Sequence, residues 1–447
     1  VSQSVHTTAL RATAEKGSKA VPYNLSNSTG AADVENTANC YVVNAPGTYS
    51  FPLVYGNAIN NGQVNYAAYT SKASIQGTLN PFINHLGNGI TDPYIAKNTD
   101  CVPVKAELVW QDAPSLVTDI KYNSGTNGGT ISFKVDKENI RQGNALIAIK
   151  DSQNTILWSW HIWITDENIY HTIKVTNHQN VSHDLMPIHL GWCEGEVINY
   201  AARSCQVQFI AHGQTRLITV NQMRSTTSTQ GNCTFYEWGR KDPLRPSSGY
   251  AYKNKTWYNA AGIASTANHA VESFPFGNEC IKNYIRKPDV MQKEIGGDNT
   301  YFNLWNADNN TNSNVYNDNP VTKTVYDPCP VGFAMPPSNT FTGFTTTGEN
   351  VTNTVAKYNG EWNSSLPGWN FYCGPNKTGG TIFFPMTGER ISSGGHLSAV
   401  GSLGHTWSAT STHSNYAHNL TLYTNYWVWP LDRFSKSAGH GVRPCLE

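Results

Sequence analysis

Residues 156–165 have the sequence ILWSWHIWIT, from which the fold of the first part of the chain can be predicted. Trp158, Trp160 and Ile162 alternate with other residues at a period of two, which is the spacing of a β-strand. Trp163 falls on the opposite face, so both faces are apolar. The pattern predicts a strand whose tryptophans fill a core.

Six segments upstream have the same strand-like character. They are rich in β-branched and aromatic residues, and turn clusters such as Asn44-Ala45-Pro46-Gly47 separate them. The segments are CYVV (40–43), TYSFPLV (48–54), VKAELVW (104–110), LVTDIKY (116–122), TISFKV (130–135) and ALIAIK (145–150). Seven short strands without a long amphipathic helix predict an immunoglobulin-like β-sandwich over residues 36–168.

The flanking regions differ from this pattern. Residues 1–35 are rich in Ala, Thr, Ser and Asn without periodicity, and we interpret them as a flexible leader or as an arm that docks elsewhere. A polar linker at 169–182 leads to a second domain at 183–447, where long loops carry the sequence. The predicted fold is mainly β, with an α+β C-terminal part.

Charge and composition exclude several classes of partner. The 31 basic and 31 acidic residues cancel, and charged residues make up only 14% of the chain. Such a chain lacks the long-range field that collects nucleic acid or anionic lipid. It also has no apolar run of about 18 residues, so we expect no nucleic-acid partner and no membrane span. This polar but weakly charged composition is typical of extracellular β proteins.

Nine cysteines are scattered along the chain without a Cys-x-x-Cys pair, which disfavours a zinc ribbon or a thioredoxin-like motif. In an exported protein, cysteines commonly form disulfides. The expected pairs are Cys40 with Cys101 and Cys193 with Cys205. At least one thiol is left over because nine is odd.

No catalytic constellation is evident in the sequence. His-Glu-x-x-His, Gly-x-Ser-x-Gly and Gly-x-x-x-x-Gly-Lys motifs are all absent. We interpret Glu194 and Glu196 as a solvated face, and Arg240 with Asp242 as a buried structural pair. The Asn-rich run at 307–319 superficially resembles a calcium loop, but it lacks the central Gly and the later Glu. We assign no catalytic residue, no metal ligand and no cofactor.

The C-terminal stretch at 401–447 places many aromatic side chains among Ser, Asn, Thr and Gly. Rigid aromatics with small polar neighbours are characteristic of binding surfaces. The competing interpretation is that Tyr423, Trp427 and Trp429 share one strand face and simply pack. We predict that the ligand-binding residues are His413, Tyr416, His418, Tyr423, Tyr426, Trp427, Trp429, Arg433 and Phe434.

Six peptides of the second region occur in a recognisable order. They are LMPIHLGW (185–192), FYEWGRKDPLRP (235–246), TVYDPCPVGFAMPPSNTFTGF (324–344), TIFFPMTGER (381–390), GHTWSA (404–409) and GHGVRP (439–444). Together they resemble the C-type-lectin-like domain of Bacteroidales surface proteins, related to the formylglycine-generating-enzyme type and to the Fibrobacter major paralogous family. The peptides at 39–57 and 143–166 resemble the sandwich that precedes this module in fimbrillin-family proteins of type V pili.

The resemblance has structural implications. In this fold the first and last strands pair, so LMPIHLG is expected beside GVRPCLE. Relatives link a Cys like Cys329 to one in the final strand, but Cys445 stands one position later than in the relatives, so its side chain faces the other way. In members diversified by reverse-transcriptase cassettes, the variable residues lie between fixed ends that correspond here to 407–409 and 441–443.

The resemblance also implies a function. It implies a cell-surface or pilus-tip adhesin on an outer-membrane-attached fimbrium, with a diversity-generating retroelement varying its binding surface. The ligand is a surface glycan or protein receptor, and a pilus subunit joins by donor-strand exchange. The absence of a C-terminal donor strand favours a tip position, and Arg11 is a candidate processing site. The alternatives are an exported carbohydrate-processing or protein-modifying enzyme and a stalk pilin.

Overall fold

The structure is a computed structural model that describes residues 4–71, 76–293, 301–309, 315–412, 415–424 and 426–447. The described chain is mainly β, as predicted, with two α-helices, α1 (Val5–Ala12) and α2 (Asn278–Arg286). Neither of these described helices has the length and apolar character to cross a membrane. The strands up to residue 164 are β1 (Tyr23–Asn24), β2 (Cys40–Val43), β3 (Gly47–Pro52), β4 (Ile59–Asn60), β5 (Gln63–Val64), β6 (Lys105–Gln111), β7 (Thr118–Asn123), β8 (Thr130–Val135), β9 (Gly143–Lys150) and β10 (Ile156–Ile164).

The strands after residue 164 are more irregular, because Gly, Pro and Asn interrupt them. They are β11 (Ile173–Thr176), β12 (Ser182–Leu185), β13 (Val197–Tyr200), β14 (Arg203–Ala211), β15 (Gln214–Gln222), β16 (Ser225–Ser228), β17 (Trp257–Tyr258), β18 (Ala264–Ser265), β19 (Ala270–Glu272), β20 (Val290–Gln292), β21 (Phe333–Ala334), β22 (Val351–Thr352), β23 (Gly360–Asn363), β24 (Gly368–Gly374), β25 (Thr378–Pro385), β26 (Glu389–Arg390), β27 (Leu397–Ser398), β28 (Leu403–Ser411), β29 (Tyr416–Tyr423), β30 (Trp427–Ser435) and β31 (Cys445–Leu446).

Two sheets form the N-terminal part. One has the strand order β1-β3-β8-β7 and the other the order β18-β17-β6-β9-β10-β2, so residues from the second region complete the larger sheet. The sheets contact each other through aromatic side chains. The ring centroids of Phe51 on β3 and Trp160 on β10 lie 5.0 Å apart. Trp158, Trp160 and Trp163 are completely buried, so the prediction that they fill a core is confirmed.

Buried polar contacts join the first region to the second. The Asn39 side-chain amide donates hydrogen bonds to the carbonyl oxygens of Val325 and Asp327, at 2.7 and 2.8 Å. The Ser159 hydroxyl donates to Asp242 Oδ1 at 2.7 Å. Because these polar groups are paired where they are buried, the interface does not leave them unsatisfied.

The N-terminal residues that the structure describes lie against the body of the protein. The Ser4 hydroxyl caps α1 by accepting a hydrogen bond from the Thr7 N–H, and Leu10 is buried. Arg11, the candidate processing site, lies in the last turn of α1 and donates to the Glu138 carbonyl. Arg11 therefore lies in a capped helix whose Leu10 is buried, and not in an unstructured leader.

The expected pairing of the segments LMPIHLG and GVRPCLE is present. Leu185 on β12 lies opposite Cys445 on β31. The Met186 N–H donates to the Pro444 carbonyl and the Leu190 N–H to the Val442 carbonyl, both at 2.9 Å. The end of the chain is thereby held next to the start of the second region.

The expected disulfides are wrong, because all nine cysteines are free thiols. Cys205 is exposed on β14, whereas Cys193 Sγ lies 3.8 Å from Lys255 Nζ. Cys329 and Cys445 pack in different hydrophobic clusters. The link between Cys329 and Cys445 that the resemblance implies is therefore absent as well. The Cys445 side chain points into another part of the core, as its shifted position in the sequence suggests.

The predicted pairing of Arg240 with Asp242 is also wrong, although all the charges concerned are buried. Arg240 forms its ion pair with Glu237. Asp242 instead pairs with Lys241, at 2.8 Å between Nζ and Oδ1. The peptide YEWGRKD thus contains two short-range ion pairs, and both serve the scaffold.

His161 on β10 is completely buried and neutral. Its Nε2 donates to Asn144 Oδ1 at 2.8 Å, and its Nδ1 accepts from the Tyr236 hydroxyl at 3.2 Å. Burial lowers the pKa of His161 to about 3, and burial lowers the pKa of His85 to about 4. An unfolded histidine titrates near pH 6.5. The stability from these neutral rings is therefore fully present above about pH 6.5 and is lost as the pH falls towards the folded pKa values.

We expect the free energy of unfolding to fall by about 1.4 kcal/mol per pH unit for each such histidine between about pH 6 and pH 4. Urea unfolding at several pH values measures this slope. His161→Gln is expected to make the slope shallower, whereas His212→Gln, in an exposed hairpin, leaves it unchanged. A slope that does not differ between His161→Gln and the parent would contradict the assignment.

Candidate functional site

A four-stranded sheet with the order β22-β30-β29-β28 carries the predicted binding residues. One face packs into the core through Leu420, Leu422 and Val428, which are almost completely buried. Tyr423 is in register with Trp427, so these two side chains share the opposite face. The alternation of strand residues therefore turns a set of aromatic rings towards the solvent.

Tyr423, Trp427 and Trp429, which we call the aromatic ladder, are all half-buried. The ring centroids of Trp427 and Trp429 lie 4.6 Å apart at an interplanar angle of 8°, and those of Tyr423 and Trp427 lie 4.9 Å apart. Trp429 Nε1 donates to Thr352 Oγ1 at 3.0 Å, which fixes the end of the ladder. Tyr426, 52% exposed, extends it with its ring 6.0 Å from Tyr423.

Other predicted contact residues lie on the opposite face of the same strands. Tyr416 is partly exposed, and Arg433, in register with His418, is exposed. His418 itself is buried, and its ring centroid lies 3.9 Å from that of Tyr316. The prediction of His418 as a ligand contact is wrong, because its ring packs inside the protein.

Phe434 lies on the face of the ladder but at the covered end. Its ring centroid lies 5.0 Å from that of His405 and 4.8 Å from that of His440. Phe434 is half-buried, as the ladder rings are, and packs against these histidines at a distance from the ladder. His413 lies outside the described residues. The structure thus brings together Tyr423, Tyr426, Trp427 and Trp429 and separates the others from them.

A group of potential metal ligands, which no sequence motif predicts, lies at the buried end of the sheet face that carries the aromatic ladder. Glu389, His405 and His440 each place one potential ligand atom within 4.8 Å of the others, and they are the one such group among the described residues. The three residues lie 16 and 35 positions apart, so no short metal motif reveals them. The one feature of the sequence that could have indicated this group is that each histidine follows a glycine, in the peptides GHTWSA and GHGVRP.

A separate depression of about 500 Å³ includes Cys193, Glu194, Asp112 and Lys255 in its lining. Lys255 Nζ lies 3.2 Å from Asp112 Oδ2. Burial raises the pKa of the Cys193 thiol to about 12, so the thiol is protonated at neutral pH and is a weak nucleophile. Glu194 Oε2 accepts a hydrogen bond from Trp192 Nε1 at 2.9 Å. These contacts give Asp112 and Glu194 structural partners.

Two peptides, 407–409 and 441–443, flank the ladder in the sequence, and both belong to the scaffold. Trp407 is completely buried and donates from Nε1 to the Tyr236 carbonyl at 2.7 Å. Arg443 is buried and donates to the Met186 carbonyl at 3.1 Å. Rigid buried ends are suited to carrying an exposed surface between them. No family model, curated protein or solved structure matches this chain.

Proposed function

We propose that this protein is a cell-surface or pilus-tip adhesin that binds its ligand through the aromatic ladder. In this proposal the N-terminal sheets form a fimbrillin-like sandwich, and the second region is a C-type-lectin-like module. The observation that carries the proposal is that three adjacent aromatic rings, two of them stacked, stay half-buried on a sheet whose other face is packed. Aromatic side chains held rigidly at a surface are the residues that most often dominate binding energy.

The ladder suits a ligand with apolar patches and polar edges. Sugar rings have such surfaces, since their C–H groups form apolar faces and their hydroxyls lie at the rim. Apolar segments of a receptor protein can cover the same ring edges. Thr352, at the end of the ladder, and the half-buried Thr424 supply hydroxyl groups nearby. A surface glycan or a protein receptor is therefore the ligand class that we propose.

Trp429→Ala and Trp427→Ala are each expected to weaken ligand binding by about 10- to 100-fold, because each loses about 1–3 kcal/mol of contact energy. The ligand with the strongest signal on a glycan array, or a receptor-bearing cell, is titrated with each variant. Tyr252→Ala is the matched control, since Tyr252 is 63% exposed and lies outside the ladder. If Trp429→Ala bound the ligand with the affinity of the parent protein, the assignment of the ladder as the binding site would be wrong.

The proposed assembly partner is another pilus subunit, which adds a strand to the hairpin of β14 and β15. Every residue of these two strands is exposed, and a two-residue turn at His212 and Gly213, both with positive φ, joins them. Val207 pairs with Ile218, so the strands share an apolar face that is open to solvent. A two-stranded hairpin is marginally stable in water, and its free edges are templates for strand addition.

The charge of the hairpin is complementary to an acidic partner edge. Residues 197–229 contain Arg203, Arg216 and Arg224 and no acidic residue. We expect Phe209→Ser with Ile218→Ser to reduce incorporation of the chain into pili by at least about tenfold, because the apolar face is lost. Quantitative immunoblotting of sheared pili measures this. Gln208→Ser, on the other face of β14, is the control, and unchanged incorporation of the double variant would contradict strand addition here.

A further inference from the structure

Glu389, His405 and His440 converge from three separate segments. Glu389 lies on β26, His405 on β28, and His440 in the segment that precedes β31. Glu389 Oε2 lies 3.6 Å from His440 Nε2, which is too long for a hydrogen bond. Both imidazoles are almost completely buried, whereas the Glu389 side chain is 13% exposed. The group therefore has one solvent-accessible side.

The histidines of this group hold ring nitrogens that have no hydrogen-bonding partner among the described residues. These atoms are His405 Nε2 and both ring nitrogens of His440. A buried polar atom without a partner costs about 1–3 kcal/mol, so native proteins nearly always satisfy such atoms. Two buried histidines with orphaned nitrogens beside a carboxylate indicate a bound species that interacts with one nitrogen of each ring.

A hydrogen bond at His405 Nδ1 determines that the other ring nitrogen, Nε2, faces the bound species. Thr421 Oγ1 donates to Asp432 Oδ2 at 2.6 Å and lies 3.1 Å from His405 Nδ1. A hydroxyl that gives its proton to Asp432 accepts the proton of Nδ1–H, so the lone pair of His405 is on Nε2. Metal-binding histidines commonly have such a partner on the second nitrogen.

We propose that Glu389, His405 and His440 bind one zinc ion. Two imidazoles and one carboxylate are a donor set that suits Zn²⁺, with a fourth position left for water on the side of Glu389. Calcium and magnesium prefer sites made of oxygen atoms. The ion joins β26, β28 and the segment before β31, and thereby braces the buried end of the sheet face that carries the aromatic ladder.

Binding requires a local adjustment of the two rings. The His405 and His440 rings are stacked at 4.2 Å with an interplanar angle of 10°, so their lone pairs run side by side. Ligands at about 2.0–2.1 Å from a tetrahedral zinc are roughly 3.3–3.5 Å apart. The three donor atoms therefore draw together by up to about 1.4 Å from their present separation of up to 4.8 Å. His440 also stacks on Trp407 at 4.3 Å, which limits how far its ring turns.

The test uses the full chain after treatment with a chelator and dialysis. Titration with Co²⁺ is expected to give visible d–d absorption with the intensity of a tetrahedral site, saturating at one ion per chain. Competition with Zn²⁺ abolishes this absorption, and elemental analysis then gives one zinc per chain. Zinc is also expected to raise the thermal unfolding midpoint by about 3 °C or more, because it binds the folded state alone.

Variants identify the ligands. His440→Gln and Glu389→Gln are each expected to weaken Co²⁺ binding by at least about tenfold, whereas His212→Gln on the exposed hairpin leaves it unchanged. Circular dichroism and the chelated unfolding midpoint report whether each variant folds. If His440→Gln does not fold, Glu389→Gln is the variant that tests the metal site, because Glu389 is partly exposed. Absence of stoichiometric Co²⁺ and Zn²⁺ binding in the parent, or equal binding by a folded Glu389→Gln variant, overturns the proposal.

Discussion

Trp158→Ala is expected to lower the free energy of unfolding by about 3–5 kcal/mol, which is the range for removing a buried aromatic ring. Trp158 is completely buried, with its ring centroid 4.9 Å from that of Tyr55 in the first region and 6.1 Å from that of Tyr326 in the second. Its Nε1 donates to Asn39 Oδ1 at 3.0 Å, so the substitution also leaves a buried acceptor without its donor.

The matched control is Trp427→Ala in the aromatic ladder. The same ring is removed there from a half-buried position, so we expect a loss of about 1 kcal/mol or less. Chemical denaturation of both variants and the parent gives the comparison. If Trp158→Ala is no more destabilising than Trp427→Ala, then Trp158 does not join the two regions of the core.

Arg240→Met is expected to destabilise the protein by about 3–5 kcal/mol, because it leaves the completely buried carboxylate of Glu237 without its counter-ion. Arg240 also donates to the Val290 carbonyl at 2.7 Å and to the Lys287 carbonyl at 2.9 Å. The Glu237 carboxylate also accepts a hydrogen bond from the Gln292 N–H, at 2.8 Å. A hydrogen bond from a neutral N–H does not offset the desolvation of a buried charge.

The double variant Arg240→Met with Glu237→Leu tests this reason. Removing both charges eliminates the uncompensated carboxylate, so we expect the double variant to be more stable than Arg240→Met alone. Equilibrium unfolding of the four proteins completes the cycle. Additive losses in the double variant would show that packing, and not the charge pair, determines the effect.

The strands of the first region were predictable because their evidence is local. Residues 156–165 alternate at a period of two and are apolar on both faces, and the structure buries their tryptophans. The prediction of ligand-binding residues was less accurate, because the predicted residues belong to both faces of one strand. His418 and Tyr423 are five positions apart on β29, so their side chains point in opposite directions.

Features that depend on long-range contacts were not predictable in this way. Cysteine pairing depends on the distance between side chains, and the nine thiols prove to be separate. Glu389, His405 and His440 meet only after three strands have been arranged in space. Their sequence separation exceeds that of any short metal motif, so pattern reasoning assigned no metal ligand.

Binding through the aromatic ladder is tested with the full chain on a glycan array and on host and bacterial cells, beside the variant Trp427→Ser with Trp429→Ser. Phe434 is left intact because it packs against His405 and His440. The ladder predicts that the parent binds a glycan or a cell surface, and that the variant, shown to be folded by circular dichroism, binds at least about 100-fold more weakly. Protease treatment of the cells separates a protein receptor from a glycan. Equal binding by the parent and the folded variant would show that the ligand does not bind through the aromatic ladder.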